Sequence, residues 1–592
     1  MVLHLHLFPS ASLQFLNDLS WKLIFPCYWL LDHLVASFVS TTQEKRQCSQ
    51  DPCASLTPCV LLSTPLYLLL IVLWLPFALL GFLVWAPLQT VRRPYLYSHR
   101  RVNAREPQRE WKPQGRSYCF SSANVCLLPD ALSRVNNLSD TQGRAREVGR
   151  RICNGATRPQ IKIYIDSPTN SSVSANSFSS LGLQQGAGIS QVSSTDYKPV
   201  EQQEEQQGLP DCPLHVAGVQ ISIPEQAKVV AGGEGSPDSC VTSQESLTRV
   251  HSGNGGVSTN SLSHHTSALT NANGYKPGCF NGSFDHEISA FFPANLDFLC
   301  LQEVFDKQAE VKLRRELHSY FPFILSDVGR YAWKGCCSRF KCLNSGLLLA
   351  SRYPILDADY YCYPNGQGED ALAAKGVLCA KVLLGKSPND QRIVGYIACT
   401  HLHSIEGDSV VRFEQLDLLL ECGIIFRKAT KRQRDQIAFD VVMGDLNSDN
   451  CSSDDKLEQQ HRIFRHYKDP CRLGPREDQP WALGTLLNIS ALYNEDVSTP
   501  ENMQKVMEHE EARKEYLVYP VGKKQCSKKK GQKTPLRGNG RRIDYILYSE
   551  EVQPPGWKVA VEEYSFITQL ATLTDHLPVS MRLAVSTGVE VS

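Results

Sequence analysis

Residues 439–447 are Phe-Asp-Val-Val-Met-Gly-Asp-Leu-Asn, an apolar run that ends in a glycine and two polar side chains. A short apolar, β-branched run bounded by a turn residue is typical of a buried strand. The glycine allows a sharp turn, after which Asp445 and Asn447 lie two residues apart at the end of the strand. A carboxylate placed there can handle a proton or a metal ion, and the amide can donate to a phosphoryl oxygen.

Similar apolar runs occur on both sides of this stretch and alternate with helical patterns. They are 296–304, 347–355, 376–384, 393–400 and 543–548. An earlier run, 118–127, also predicts a strand, and the Arg-rich amphipathic stretch 131–152 predicts the helix after it. The next strand in order comes only after a long low-complexity segment. We therefore predict one α/β domain, residues 117–165 and 284–585, split by an insertion in a surface crossover.

The insertion, residues 166–283, is rich in Ser, Gly, Asn and Gln and poor in aromatic residues. Such a composition predicts disorder, because too little apolar surface is available to offset the entropy of ordering. Before it, Pro159-Gln160-Ile161-Lys162-Ile163-Tyr164 alternates like an edge strand. The hexamer resembles the motif with which peptides dock on the phosphatase calcineurin by strand addition. An ordinary strand of the neighbouring domain is the alternative.

Residues 1–100 contain two hydrophobic segments, at about 13–39 and 60–88, and we expect this region to be embedded in a membrane. The apolar centre of the first, 23–31, is too short to cross a bilayer. The second is long enough, but three prolines interrupt it, so a kinked span and a re-entrant hairpin both fit. Four arginines follow it, at positions 92, 93, 100 and 101. The positive-inside rule then places everything downstream in the cytosol.

Composition limits the partners. The 592 residues contain 61 Lys and Arg against 61 Asp and Glu, so the chain lacks the basic surplus of most nucleic-acid binders, and we expect no nucleic-acid partner. The basic run from Lys523-Lys524 through Lys528-Lys529-Lys530 to Arg541-Arg542 fits a solvated loop, anionic lipid or nucleic acid.

The 21 cysteines have no repeating spacing, which indicates reduced thiols in a cytosolic domain. Cys336 and Cys337, with Cys342, lack a nearby second ligand pair for zinc, so a lipidated or solvent-facing loop is favoured. The candidates for lipidation are Cys48, Cys53, Cys59, Cys336 and Cys337.

Polar residues cluster at the ends of the predicted strands. Glu303 ends the run 299–305, where a carboxylate suits Mg²⁺, although a paired or capping Glu is the alternative. His401 and His403 are spaced to point the same way and could bind a metal, serve a phosphate or be structural. His576 follows Asp575 near the C-terminus, and a histidine held by a buried Asp is the expected general base near neutral pH.

The order of these motifs carries a resemblance. The motifs are Asn124, Gln302-Glu303, Ser345-Gly346-Leu347 with Ser351-Arg352-Tyr353-Pro354, Thr400-His401, Gly444-Asp445-Leu446-Asn447, Ile543-Asp544-Tyr545 and Asp575-His576. In this order they resemble the endonuclease/exonuclease/phosphatase superfamily, which includes deoxyribonuclease I. Within it the chain is similar to the neutral sphingomyelinases, and its two N-terminal apolar segments and long insertion resemble the membrane-bound type 2 branch.

The resemblance implies a four-layer α/β sandwich, two packed mixed sheets flanked by helices, with an N-terminal membrane-embedded helical region. It implies the following roles. Glu303 binds Mg²⁺, for which Mn²⁺ can substitute, with Asn124 in the shell of the metal and Asp575 beside the metal and the phosphate. His576 is the general base and is oriented by Asp544, while Asp445 and Asn447 contact the phosphate and the attacking water. His401 stabilises the phosphoryl oxygens or the leaving group, and Lys375, positioned by Asp370, faces the charge that develops on the phosphate.

The implied reaction is hydrolysis of membrane sphingomyelin to ceramide and phosphocholine, which feeds ceramide signalling and sphingolipid metabolism. The implied partners are anionic phospholipids, and the implied location is the Golgi and the inner leaflet of the plasma membrane. A nuclease of the same fold and a catalytically inactive membrane scaffold are the alternatives.

Overall fold

The computed structural model describes residues 3–50, 56–100, 111, 115–159, 162–164, 172–174, 284–333, 340–520 and 539–587. They belong to one unit made of residues 1–183 and 277–592, and a second unit, 184–276, lies outside the described residues. Several sequence predictions fall outside them too: Cys53, Cys336, Cys337, the lysines of the basic run at 523–530, Gln160, Ile161 and nearly all of the insertion.

The helices frame the domain and form its N-terminal region. In the described residues they are α1 Ala11–Phe38, α2 Thr42–Gln50, α3 Leu56–Leu88, α4 Asp130–Ser133, α5 Thr141–Thr157, α6 Lys307–Leu317, α7 Ser409–Thr430, α8 Lys456–Gln459, α9 Ile463–His466, α10 Pro500–Glu508 and α11 Glu510–Tyr516. Short 3₁₀ turns occupy Gln89–Val91, Arg134–Asn136, Gly368–Leu372, Ile489–Ala491 and Glu495–Val497.

The strands of the described residues form two larger sheets and two small ribbons. They are β1 Leu96–His99, β2 Arg116–Leu127, β3 Lys162–Tyr164, β4 Ser172–Ser174, β5 Asp285–Ser289, β6 Phe298–Val304, β7 Phe323–Ser326, β8 Leu348–Ser351, β9 Ile355–Cys362, β10 Gly376–Lys386, β11 Arg392–His401, β12 Asp435–Asp445, β13 Arg472–Gly474, β14 Glu477–Asp478, β15 Asp544–Tyr548, β16 Lys558–Ile567 and β17 Val579–Ser586. One sheet has the order β1-β7-β8-β6-β2-β17-β16-β5, and the other has the order β15-β12-β11-β10-β9.

The register brings the polar strand ends to one edge. β2 and β6, which lie on opposite sides of the insertion, pair in parallel, with Asn124 opposite Gln302. In the second sheet β11 and β12 are parallel, with His401 opposite Asp445. β15 runs antiparallel to β12 and places Asp544 opposite Asp445. Because paired residues of neighbouring strands lie about 5 Å apart, the predicted side chains meet at this edge.

Four layers result from the packing. The inner faces of the two sheets share a core that includes Phe120, Phe298, Phe439 and Met443. Helices α5 and α6 cover the outer face of the first sheet, and α7 covers that of the second. The predicted α/β sandwich is confirmed.

Two element predictions were wrong. The run 347–355 is not one strand: it divides into β8 and β9, which belong to different sheets. Pro354 separates them, and it cannot donate to a ladder. The predicted helix 131–152 is interrupted between Asn137 and Asp140, both of which adopt positive φ, and the Asp140 side chain then caps α5 by accepting from Gly143 N.

The N-terminal region is a helical hairpin. α1 and α3 pack together, with the Trp74 indole donating to Leu23 O. Residues 63–91 are long and apolar enough to cross a membrane, and only 6% of the most apolar stretch is buried in the described structure. Helices α1 and α2 meet at a bend of 60°, and taken together they are also long and apolar enough to cross a membrane. The nine-residue apolar centre at 23–31 therefore lies inside a 28-residue helix that continues past Pro26.

Candidate active site

His576 and Asp544 form the pair on which a hydrolytic function depends. The Nδ1 atom of His576 lies 2.8 Å from Asp544 Oδ2, and both side chains are buried. Asp544 is fixed at the start of β15, where its backbone N–H donates to Thr485 Oγ1. Burial alone would lower the pKa of His576, but Asp544, Asp575 and Asp445 hold that pKa well above its usual range. With Nδ1 turned to Asp544, the second ring nitrogen remains for proton transfer.

Asp445 ends β12, and Asn447 lies in the turn that follows it. The Asn447 backbone N–H donates to Asp445 Oδ1 (2.9 Å), and its side-chain amide donates to Leu402 O (3.0 Å). The turn needs Gly444, since its φ is +155° and a Cβ there would lie 2.0 Å from Thr400 O. Burial and the charge of Asp544 raise the pKa of Asp445 to about 6.

Glu303 ends β6 in a strained backbone conformation, with φ +60°. Non-glycine residues in this region are uncommon and concentrate at functional sites. Burial and the neighbouring Asp575 carboxylate raise the pKa of Glu303 to about 7. Asn124 lies between the acidic groups: its amide donates to Asp445 Oδ2 (3.0 Å), and its hydrogen bond to Glu303 opposes the rise in pKa.

Lys375 enters the site from the loop before β10. Its ammonium lies 2.9 Å from Asp370, 3.2 Å from His401 Nε2 and 3.0 Å from Leu402 O. Burial and Lys375 lower the pKa of His401 well below its usual range. Burial would raise the pKa of Asp370, but Lys375 and His403 hold it far below.

The predicted site residues therefore come together at one edge of the sandwich. His401 Nε2 lies 3.6 Å from Asp445 and 3.9 Å from Glu303, and so it connects the lysine side of the site to the acidic side. Asp575 belongs to the cluster through its charge on Glu303 and His576. Nothing in these contacts assigns a chemical role, so the individual roles stay predictions.

One buried residue of the site, Thr485, was missed, and another, His403, was predicted without a definite role. His403 lies 3.0 Å from Asp370 and 2.8 Å from Asp408, so it holds the lysine's partner. The spacing of His401 and His403 is the signal that pointed to it. Thr485 accepts from the backbone N–H groups of Ile543 and Asp544. No sequence signal distinguishes Thr485 from any other threonine in a loop.

The donors at this edge of the sandwich are mostly carboxylates. Glu303 and Asp575 are neighbouring carboxylates, and the pKa of Glu303 is raised rather than lowered, as expected of buried acids whose charges are not neutralised. Asp445, Asp544 and His576 offer ligand atoms within 4.8 Å of one another. Hard oxygen donors around an excess of negative charge fit a divalent cation. The edge of the sandwich is therefore an acidic site that is suited to a metal.

The lipidation candidates within the described residues lie in the helical hairpin. Cys48 belongs to α2 and Cys59 to α3.

Comparison with known families agrees with this geometry. Residues 12–91 match the neutral sphingomyelinase N-terminal transmembrane region, and residues 271–576 match the endonuclease/exonuclease/phosphatase family. Sphingomyelin phosphodiesterase 3 of Rattus norvegicus is 52% identical over the whole of both chains, and the Homo sapiens protein of that name is also 52% identical. The chain belongs to the sphingomyelin phosphodiesterase family.

Other members of the sphingomyelin phosphodiesterase family are more distant. Sphingomyelin phosphodiesterase 5 of Danio rerio is 40% identical over 98% of each chain. Among solved structures, the crystal structure of SmcL is 17% identical and covers 49% of this chain and 86% of its own, with a TM-score of 0.30. Membership of the sphingomyelin phosphodiesterase family makes this chain a phosphoric diester hydrolase, and its N-terminal transmembrane region associates it with a membrane.

Proposed function

We propose that the protein hydrolyses sphingomyelin in a membrane to ceramide and phosphocholine. The buried His576–Asp544 pair, beside the acidic cluster of Asp445, Asp575 and Glu303, carries the proposal. The pair supplies a base and the cluster supplies charged groups around it. The chain that carries them aligns from end to end with proteins named sphingomyelin phosphodiesterases.

His576 acts as the general base in this proposal. In its neutral form it accepts a proton from water at the ring nitrogen that faces away from Asp544, and the water oxygen attacks phosphorus. That form is favoured when positive charge in the site offsets the Asp575 and Asp445 carboxylates, which raise the pKa of His576. The bond from phosphorus to the ceramide oxygen breaks, and the ceramide oxygen takes up a proton. One water is consumed for each ceramide and phosphocholine released. Asp544 holds the imidazole in place and stabilises the positive charge that forms on it.

The donors opposite the acidic cluster stabilise charge on the phosphoryl group. Lys375 brings a buried ammonium to His401, and Asn447 places an amide beside the turn after β12. Such donors contribute most where charge develops in the transition state, because a water-excluded site screens them little.

We infer that Glu303 and Asp575 hold Mg²⁺, with Mn²⁺ as a substitute. Asn124 turns its amide nitrogen toward Asp445 and Glu303 while its oxygen accepts from Cys126 N–H, so it orients the carboxylates. When bound, the cation supplies a Lewis acid for a phosphoryl oxygen. Its removal by a chelator should abolish activity. Mg²⁺ should raise the unfolding temperature of the wild type but not that of Glu303→Gln.

The narrower proposals concern the surroundings of the enzyme. We place it with the membrane-bound type 2 branch, facing the cytosol at the Golgi and plasma membrane, with anionic phospholipids as activators. One of the four arginines used for the orientation, Arg92, is buried against Asp327 (2.7 Å) and therefore fastens α3 to the domain. Protease protection of intact vesicles tests the orientation.

Docking of calcineurin is a separate proposal. Lys162–Tyr164 forms a strand that pairs with Ser172–Ser174. The second of these strands lies inside residues 166–283, the segment predicted to be disordered. Binding of the phosphatase to the full chain should be lost when Ile161 and Ile163 are changed to Ala, and unchanged binding would contradict it.

The deciding experiment is hydrolysis by the detergent-solubilised full-length protein. We expect release of phosphocholine from sphingomyelin that depends on Mg²⁺, with a loss of about 10²–10⁴-fold in His576→Ala, as is usual for removal of a general base. Lys468→Ala, an exposed residue outside the site, is the control. Faster cleavage of DNA or of inositol phosphates would contradict the lipid substrate.

A further inference from the structure

The loop that carries Asp370 and Lys375 needs support to stay over the site. It consists of the 3₁₀ turn Gly368–Leu372 and the residues that lead into β10. On one side it is held by the site itself, since Asp370 accepts from the backbone N–H (2.6 Å) and the hydroxyl (3.0 Å) of Ser404. Leu372, at the end of the turn, is largely exposed, so packing of its side chain contributes little.

On the other side, residues 341–346 lie along this loop as a parallel neighbour. The backbone N–H groups of Cys342 and Leu343 donate to Leu372 O (2.9 and 3.1 Å), and Ala374 N–H donates to Asn344 O (3.0 Å). One side chain adds to this ladder: the Lys341 ammonium donates to Ala371 O at 2.8 Å.

Lys341 is 1% exposed, which is unusual for lysine. Burial of an ammonium is costly unless hydrogen bonds compensate for lost water, and an apolar side chain of similar length would fill the space without that cost. Among the described residues, Ala371 O is the acceptor that the structure gives it. A charged donor forms a stronger hydrogen bond than a neutral one, and here that bond fixes a carbonyl next to Asp370.

The same segment, residues 341–346, also holds the end of the strand that carries Glu303. Val304 N–H, directly after Glu303, donates to Gly346 O (2.9 Å), and the Asn344 amide donates to Val304 O (3.3 Å). Residues 341–346 therefore contact both the loop of Lys375 and the strand end of Glu303. A shift of the loop against this segment changes the separation of Lys375 and Glu303.

We propose that Lys341 is a positioning residue for the hydrolysis, acting through Ala371 O on Asp370 and Lys375. This inference rests on the proposed function. Lys341 need not touch substrate; it sets the geometry in which Lys375 does. Displacement of a catalytic group by about 1 Å costs up to about 10²-fold in rate.

The test compares Lys341→Met with Lys381→Met in the full-length protein. Lys381, further along β10, is equally buried, but it donates to Thr430 O and is paired with Asp435 instead of bonding to the Lys375 loop. We expect Lys341→Met to lower kcat by about 10-fold to 100-fold with KM unchanged, the pattern of an interaction that matters in the transition state. Lys381→Met should lower the unfolding temperature but leave the kcat of the folded enzyme unchanged.

A double-mutant cycle separates positioning from general destabilisation. In the Lys375→Met background, Lys341→Met should have no further effect on kcat, because the group that it positions is gone. Amide hydrogen exchange should rise at residues 371–374 in Lys341→Met, and Lys341→Arg, which keeps a donor, should restore part of the activity.

The two proposals fail in different ways. If the wild type releases no phosphocholine, the proposed function is wrong, whereas the exchange experiment still reports on the contact. If the wild type is active and Lys341→Met keeps its kcat, or if the two substitutions are additive, the positioning role is wrong.

Discussion

Asn124 shows how a single side chain sets the electrostatics of the site. Its amide nitrogen donates to Asp445, its oxygen accepts from Cys126 N–H, and its backbone carbonyl accepts from the Thr574 hydroxyl. With both ends of the amide used, the side chain cannot rotate without leaving a buried group unpaired. The two acidic groups therefore keep a donor between them while a proton or a cation is exchanged.

A buried carboxylate away from the site provides a test of stability at the residue scale. Asp297 accepts from Cys119 N–H (3.0 Å), and burial raises its pKa to about 6. The folded state then holds the proton more tightly than the unfolded chain, so stability present below about pH 4 is lost as pH rises through about 6. A shift of about two pKa units corresponds to at most about 3 kcal/mol.

We therefore expect Asp297→Asn to gain stability relative to the wild type between about pH 4 and pH 7. Thermal unfolding across that range measures the difference. Asp454→Asn, at an exposed carboxylate, should show no such trend. A pH-independent difference for Asp297→Asn would show that the wild-type carboxyl is not protonated in the fold.

At the scale of elements, the turn before β8 determines where β6 ends. Gly346 has φ +71°, and a Cβ at this position would lie 3.0 Å from Glu303 N and 3.1 Å from Glu303 Cα. The Ser-Gly-Leu motif is thus explained by the close approach of two backbones. A side chain here would move Glu303, not merely strain the turn.

Gly346→Ala should consequently lose most activity and at least about 1–2 kcal/mol of stability, the cost of a left-handed conformation with a Cβ. Hydrolysis and thermal unfolding measure the two effects. Gly474→Ala is the matched control, because its Cβ would meet nothing within 4 Å. Full activity of Gly346→Ala would mean that Glu303 tolerates displacement.

The sequence predicted most strands, but not how they divide between sheets. An apolar run shows that a segment is buried, but β8 and β9 form one continuous run, and their partners are set by contacts far away in the chain. The break between α4 and α5 depends on left-handed residues at Asn137 and Asp140, which helical periodicity does not detect. Periodicity predicts local structure well, and it carries no information on which long-range partner a strand chooses.

The cap of α4 comes from another element. Pro129 offers no side-chain acceptor, and Asp32 of α1 accepts instead from Asp130 N (3.2 Å) and Ala131 N (2.9 Å). Asp32→Ala should cost about 0.5–2 kcal/mol, as loss of an N-cap does. Thermal unfolding in detergent measures it. Asp18→Ala, which removes a carboxylate whose hydrogen bonds among the described residues are to Gln14 and Asn17 of the same helix, should cost less; equal losses would argue against the cap.

At the scale of the whole molecule, motif order predicted which residues gather at the site, because strands of both sheets bring their polar ends to one edge of the sandwich. The contacts of the N-terminal region with the domain could not be predicted in this way. The Tyr28 hydroxyl of α1 donates to Asp306, and Arg46 of α2 donates to Tyr493 O. A hydropathy pattern identifies lipid-compatible segments, but these contacts depend on single polar atoms.

The contact between α3 and the domain yields the last prediction. Trp85 and Phe82 pack against Phe340, at ring-centroid distances of 6.5 and 5.9 Å, and Phe340 directly precedes Lys341. Aromatic pairs contribute about 0.5–1.5 kcal/mol each. The membrane helix is thereby joined to the segment that positions the Lys375 loop.

Trp85→Ala should therefore lower hydrolysis of sphingomyelin in vesicles while the protein still floats with them, because the anchor remains while the contacts of the indole with Phe340 and Tyr331 are lost. Leu83→Ala, on the same helix and largely exposed, is the control and should keep full activity. Phe340→Ala should reproduce the effect of Trp85→Ala, and the double variant should be no worse than either single one. Additive losses, or equal losses in Leu83→Ala, would show that α3 acts as an anchor alone.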